Sequence, residues 1–267
     1  MINLGTFEDF KYLLLLLSAM DHTLIGHLYS TITKIPPSEK VFRKINDLLS
    51  LFKKNKSKIK ILDASGGKDA ATTIYLAKKG YDVFYTEVDK KFVRDTQEKL
   101  FKLNPKFKKP NNRVSYSYFQ DLPKIYNQSY FDAIHSILTF HHGKWDEIIS
   151  YVDDFYKVLK KEGYVQLVFH CYTPNHKMIT GNKKKVKGPI QPGLKVEEVL
   201  PINPKHLHDK HTYYFDKKNH DYRRGYFHLF TKQEINELFK KFRTIKLEKI
   251  RIFYSMDDYW HLIVQKK

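Results

Sequence analysis

The chain has 267 residues with 42% hydrophobic and 15% aromatic content, enough to bury a substantial core, which excludes disorder as its resting state. Its single cysteine, Cys171, excludes an internal disulfide and fits a reducing compartment, so a cytoplasmic location is expected. The formal charge of +19 permits an RNA partner without demanding one, because 41 of the 48 basic residues are lysines and only 7 are arginine, the usual reader of phosphate and guanine.

Residues 7–29 and 37–55 read as two helices separated by Ile35-Pro36-Pro37. The apolar run at 12–20 (YLLLLLSAM) falls short of the roughly 20 residues that cross a bilayer, and Glu8 and Asp9 occupy the place of a signal peptide's positive charge. No membrane association is expected. Strand 1 follows at 59–63, a helix at 69–79, strand 2 at 82–87, a helix at 90–103, strand 3 at 113–119 and strand 4 at 131–138. A helix at 145–160 leads through Glu162-Gly163 into strand 5 at 164–170. Residues 171–226, dense in Pro, Lys and His, break the rhythm and read as an insertion with little regular structure. A helix at 231–242 opens on a Thr231/Glu234 capping box, and strands at 245–254 and 259–266 close the chain as a hairpin turned at Ser255 to Asp258. Strands alternating with helices predict an α/β fold: a Rossmann-like, doubly wound, seven-stranded sheet, mostly parallel with a C-terminal antiparallel hairpin.

The most informative stretch is KILDASGGKDAATTIYLAKKGYDVFYTEVD, residues 60–89. Asp63 ends the first apolar run, the small residues Ala64, Ser65, Gly66 and Gly67 make a turn, a helix pattern follows, and the second strand ends in Glu87. Glycines let a backbone approach a ligand closely, and an acid at the end of the second strand can accept both hydroxyls of a ribose. GGKDAA lacks the third glycine of a dinucleotide fingerprint, which counts against a nicotinamide cofactor.

From about residue 58 onward the chain resembles the class I S-adenosylmethionine-dependent methyltransferases. ILDASGG is similar to the family's first motif, LAKKGYDVFYTEVD to its second, and YFQDLP to the element that sits near the adenine amine. SYFDAIHSILTFHH is similar to the fourth-strand motif beneath the methionine part of the cofactor, and FYKVLKKEGYVQLVF to the helix, turn and fifth strand. The resemblance implies S-adenosylmethionine as cofactor, with Asp63, Ser65, Gly66 and Gly67 at the turn and Glu87 on the ribose. It further implies Asp121 and Leu122 at the adenine, and Ser136 under the methionine part. It also implies that residues 1–57 form a helical segment covering the cofactor cleft. Residues 58–267 would then be the catalytic domain, with the 171–226 insertion as a substrate lid. The chain departs from the pattern at Ser65, Asp69 and Glu162, where the family has glycine or, at the last, proline or glycine; the segment from turn to helix is also one residue long.

Methyl transfer is an in-line displacement that needs alignment, exclusion of water and, for an ammonium or hydroxyl acceptor, a base. His141 and His142 follow strand 4 at the ligand-binding end of the sheet and are the catalytic candidates; a capping or surface role is the alternative for each. His170 and Tyr172 after strand 5, and Arg223 and Arg224 as a carboxylate or phosphate clamp, are the substrate-binding candidates, against a solvated basic turn for the arginines. Tyr226 and His228 either border the cleft or pack against it. PKHLHDKH contains His206, His208 and His211 but no clear fourth ligand, so no metal is expected.

Parts of the chain, including RRGYFHLFTKQEI and WHLIVQKK, are also similar to glycine-type N-methyltransferases, which implies a small-molecule acceptor. FDAIHSILTFHH and the same ending are similar to the methyltransferases of tRNA wobble uridines, which implies RNA. A third reading is a catalytically inactive methyltransferase fold that serves in binding.

Overall fold

The computed structural model describes residues 44–53, 55–104, 113–173, 211–215, 225–251 and 258–267, with backbone alone at 213–215, 225 and 251. A short helix, α1 (Ile45–Leu49), precedes β1 (Lys60–Ala64), α2 (Ala71–Lys78), β2 (Asp82–Glu87), α3 (Lys90–Leu103) and β3 (Val114–Tyr116). Then come α4 (Leu122–Ile125), β4 (Phe131–Ile137), α5 (Trp145–Val158) and β5 (Leu159–His170). The remaining elements are β6 (Thr212–Phe215), β7 (Gly225–His228), α6 (Lys232–Leu238), β8 (Phe242–Arg251) and β9 (Asp258–Lys266).

Seven strands form one sheet in the order β3-β2-β1-β4-β5-β9-β8. The pairings from β3 to β5 are parallel, and β9 runs antiparallel to both β5 and β8. The order reverses between β1 and β4, and at such a switch the chain leaves neighbouring strands in opposite directions, opening a crevice above their carboxyl ends.

Alternation along the strands builds a core on each face. In β1, Leu62 and Ala64 join Phe84, Ile134 and Leu167 under α5 and α6, whereas Ile61 joins Val83, Ala133, Leu76 and Leu100 under α1, α2 and α3. Helix α5 buries Trp145, Ile148, Val152, Phe155 and Val158, one stripe at helical spacing. Asp89 caps α3 by accepting Lys91 N at 2.7 Å and Phe92 N at 3.3 Å.

Helix α1 docks on the sheet by burying Ile45 and Leu48, each worth about 1.5–3 kcal/mol. Its ion pairs, Lys44 to Glu248 at 2.7 Å and Asp47 to Lys246 at 2.8 Å, are a third exposed and contribute little by comparison. Beneath it a polar ladder, buried at His135, Gln166 and His261, crosses four adjacent strands. Gln166 Oε1 lies 3.0 Å from His135 Nδ1, Gln166 Nε2 lies 2.8 Å from His261 Nε2, and His261 Nδ1 lies 3.0 Å from Glu248 Oε1. The amide nitrogen of Gln166 donates to His261 and also to Lys44 O at 2.6 Å, so His261 carries its proton on Nδ1, toward Glu248. Burial pushes the His135 imidazole down to about 3, so it is neutral.

Three departures from expectation have physical causes. Strand β5 begins at Leu159 rather than 164, because Leu159 pairs with Phe131 and the intervening residues bulge before Tyr164 pairs with Ala133. The bulge uses Glu162 at φ +62° and Gly163, whose Cβ would stand 2.9 Å from Leu159 Cγ. Helix α6 stops at Leu238, earlier than 242, since Phe242 is needed to start β8 opposite Lys266. The segment expected to have little regular structure, 171–226, contains β6 and the start of β7, which pair as a two-stranded antiparallel sheet. Its strands are 4 residues each, too short for a clear period in sequence. The expected helix at 7–29 lies outside the described residues, as do 174–210, 216–224 and most of the expected C-terminal turn.

Candidate active site

The turn after β1 is tied to both neighbouring strands. Ser65 N and Gly66 N donate to Thr86 O of β2 at 2.8 and 3.3 Å, and Thr139 Oγ1, just past β4, donates to Ser65 O at 3.3 Å. Gly67 is held at both ends: its N–H donates to Glu87 Oε2 at 3.0 Å, and its carbonyl accepts the Tyr85 hydroxyl at 2.8 Å. Gly66 has no room for a side chain, since a Cβ would stand 2.6 Å from Asp63 Oδ2 and 2.7 Å from Tyr85 Cε2. Gly67, at φ +72°, would place a Cβ in open space with no atom within 4 Å. Ser65 at φ +59° and Ala70 at φ +47° take left-handed conformations without being glycine, and Ala70 is the residue that enters the helix. Asp69 is exposed on that turn.

Two acids close the turn. Asp63 is buried and Oδ2 accepts both Thr73 Oγ1 at 2.6 Å and Thr73 N at 3.1 Å, fastening β1 to α2. Burial pushes its carboxyl up to about 6, against the two hydrogen bonds from Thr73 and with a smaller push from the Glu87 carboxylate. Glu87 is also buried and raised, again mainly by burial, with Val88 N donating to Oε1 at 2.7 Å and partly offsetting it. Desolvation thus raises both carboxyls at this end of the sheet.

Asp121 ends a single 3-10 turn after β3 and pairs with the exposed Lys124 at 2.8 Å. Leu122 is fully buried next to it, and Tyr116 and Tyr118 stand exposed nearby with ring centroids 6.1 Å apart. Ser136 is fully buried within β4, one residue from its carboxyl end.

Beyond β4 and β5 the structure brings His141 and His170 together, ring centroids 4.6 Å apart and nearly perpendicular. His170 packs in turn on Tyr259 at 4.7 Å, and His142, which is exposed, lies 4.3 Å from His141. The β6–β7 sheet is joined to this end of the sheet. His228 N donates to His141 O at 2.7 Å, Gly143 N donates to Tyr226 O at 2.9 Å, and His142 bridges Phe227. Tyr172 does not join His170; its ring lies 4.0 Å from His211. Arg223, Arg224, His206 and His208 lie outside the described residues.

Tyr85, Thr73, Thr139 and Tyr259 were not singled out in sequence. Each acts through a partner distant in the chain, so no local pattern marks it. The Thr231/Glu234 pattern predicts a cap alone; Glu234 does cap α6, and it also faces two histidines.

Over residues 38–242 the chain matches the model of a family described as a methyltransferase domain. A search of curated proteins gives no match. Among solved structures, a Pyrococcus horikoshii protein aligns over 86% of this chain and 91% of its own, with 17% identity and a TM-score of 0.57. Magnesium protoporphyrin IX methyltransferase from Synechocystis, with bound S-adenosylhomocysteine (SAH), aligns over 86% and 84% at 13% identity and a TM-score of 0.55. The 1,6-didemethyltoxoflavin N1-methyltransferase from Burkholderia thailandensis aligns over 91% and 90% at 13% identity and a TM-score of 0.50. At these identities the likeness is one of fold. No helix among the described residues is long and apolar enough to cross a membrane.

Proposed function

Because the chain belongs to the methyltransferase domain family, we propose that it uses S-adenosylmethionine to methylate a nitrogen or oxygen of a small molecule. The observation that carries this reading is Gly67, bound through its N–H to Glu87 beside open space, with the buried Asp63 behind the same turn. The residues suit the cofactor: a glycine cradle with space above it, and two acids for a ligand that carries positive charge. When bound, S-adenosylmethionine supplies a methyl group already activated on a positively charged sulfur.

The chain's own residues then have distinct tasks. Glu87 takes the ribose hydroxyls, Asp121 and Leu122 border the adenine, and Ser65, Gly66, Gly67 and Asp63 hold the end that bears the amino acid. Ser136 shapes the floor under that end. His141 takes the acceptor's proton, with His170 packed edge to face against its ring, and His142 orients the acceptor from the exposed side. The β6–β7 sheet, hydrogen-bonded to His141 and Gly143, roofs the acceptor and excludes water, the task of the 171–226 insertion. A roofed site can surround a small acceptor, as it cannot a polymer, and this supports the small-molecule class. Of the segment expected to cover the cofactor cleft, residues 1–43 lie outside the described residues; a cytoplasmic setting supplies the cofactor.

The charge of +19 keeps an RNA acceptor as the second reading. Tritiated methyl transfer from the cofactor into fractionated cell extract tests both: label in small molecules supports the proposal, and label confined to RNA replaces it. Calorimetry with SAH tests the inactive-fold reading, since absence of heat with the native chain ends the catalytic one.

A further inference from the structure

We infer that His211, His228 and Glu234 form a binding site for a zinc-class divalent ion, which fastens the two-stranded sheet to the body of the domain. The three residues come from separate places: His211 immediately before β6, His228 at the end of β7, Glu234 in the first turn of α6. All three are buried, and one donor atom from each lies within 4.8 Å of the other two.

The two separations from Glu234 bracket the ligand spacing of a coordination polyhedron. Glu234 Oε1 lies 2.9 Å from His211 Nδ1 and 3.5 Å from His228 Nε2. Ligands about 2.0–2.1 Å from a tetrahedral zinc are about 3.3 Å from one another, between those two values.

The orientations agree as well. Oε2 of Glu234 accepts Thr231 N and Thr231 Oγ1, both at 2.7 Å, which fixes the carboxylate and turns Oε1 toward the imidazoles. Thr212 Oγ1 lies 2.8 Å from His228 Nδ1. With the proton on Nδ1, shared with that hydroxyl, the lone pair of His228 is on Nε2, the nitrogen that faces Glu234. Imidazoles bound to zinc commonly have the remote N–H anchored in this way.

Packing holds both rings. Tyr172 lies on His211 at 4.0 Å, and Trp145 and Phe230 flank His228 at 5.0 and 4.6 Å between centroids. Two imidazoles and a carboxylate are a borderline-soft set that suits zinc over magnesium or calcium, and leave a tetrahedral ion one position for water.

The contrasting cluster makes the point sharper. Asp47, Glu248 and His261 also bring ligand atoms together, but Lys44 and Lys246 reach the same carboxylates at 2.7 to 3.3 Å and supply the positive charge. The groups that ring Glu234 are imidazoles, which can give way to a metal by losing a proton. An ion here would secure the roof of the active site, because His228 N donates to His141 O at 2.7 Å.

The competing occupant is a proton shared between the imidazoles and the carboxylate, and metal analysis separates the two. The full-length chain is stripped with EDTA, dialysed against ZnCl2 and then against buffer, and its zinc measured by mass spectrometry. One equivalent per chain, a raised thermal midpoint, and an intense four-coordinate visible spectrum after loading with CoCl2 are expected. His211→Gln and Glu234→Gln should each reduce zinc to below about a tenth of an equivalent, while Asp153→Asn, at a half-buried residue paired with Lys241, keeps it. Glu234 also caps α6, so His211→Gln, checked for a native circular dichroism spectrum, is the decisive variant. A folded native chain that retains no zinc overturns the proposal, as does a full equivalent retained by His211→Gln.

Discussion

Glu87, the last residue of β2, accepts the backbone N–H of Gly67 at 3.0 Å, across 20 residues of sequence. That hydrogen bond joins the acid expected at the ribose to the turn expected under the amino-acid end, so the two halves of the proposed cofactor site would act as one mechanical unit. Glu87→Ala should therefore lose both a ligand contact and the anchor of the turn. A charge-assisted hydrogen bond is worth about 1.5–3 kcal/mol, so SAH affinity should fall by about 10- to 100-fold. Calorimetry with an unchanged dissociation constant would sink the assignment.

Asp63 predicts a pH dependence of known sign. Its carboxyl is raised from 3.8 to about 6 by burial. The stability linked to its protonated form is present below the unfolded value and is lost as pH rises through about 6. At 1.36 kcal/mol per pH unit the loss reaches about 3 kcal/mol. Asp63→Asn removes this dependence, so urea unfolding should show the variant gaining on the native chain from pH 4 to pH 7. Bound cofactor, being cationic, favours the ionised acid, and its affinity in the native chain should fall as pH drops below about 6.

Gly66→Ala places a methyl group 2.6 Å from Asp63 Oδ2 and 2.7 Å from the Tyr85 ring, both buried. One of them must move, at a cost of about 1–3 kcal/mol, and SAH binding should weaken with it. Denaturant titration beside calorimetry reads both effects.

Glu162→Gly should stabilise the chain. Glu162 is exposed and sits at φ +62°, where a non-glycine residue costs about 1–2 kcal/mol, against about 0.5–1 kcal/mol for glycine's extra freedom when unfolded. A net gain of about 0.5–1 kcal/mol should raise the melting midpoint by about 1–4 °C. A fall in the midpoint would show that the Glu162 side chain contributes more than its backbone costs.

Gln166→Leu should cost about 3 kcal/mol or more, because it strips partners from His135, His261 and the Lys44 carbonyl together. The melting midpoint should drop by about 6–12 °C at the usual scaling for a domain of this size. A midpoint unchanged within error would mean that the ladder adds nothing net.

The departures from the family pattern were legible as residue types, and their cost was not. Ser65 and Glu162 stand out in sequence because glycine is expected there, and the structure puts both at positive φ. The bulge that demands Glu162's conformation is set by the pairing of Leu159 with Phe131, which no local window contains. Likewise His141 and His170 are visible as histidines after strands, but only adjacency of β4 and β5 brings their rings to 4.6 Å. Tyr172 was grouped with His170 by proximity in sequence, yet its ring packs on His211.

By itself the sequence determined the order of strands and helices in the main sheet, though not β6 and β7, and the positions of Asp63 and Glu87 at or beside strand ends. Those follow from apolar period and turn chemistry, which act over a few residues. Only the tertiary structure decided what these groups touch: Glu87 on Gly67, Thr139 on Ser65 across 74 residues, Gln166 on His261 across 95, and Glu234 facing His211 and His228. Such contacts depend on strand order and register, and a shift of one residue would turn the strand side chains among them, Glu87, Gln166 and His261, to the other face.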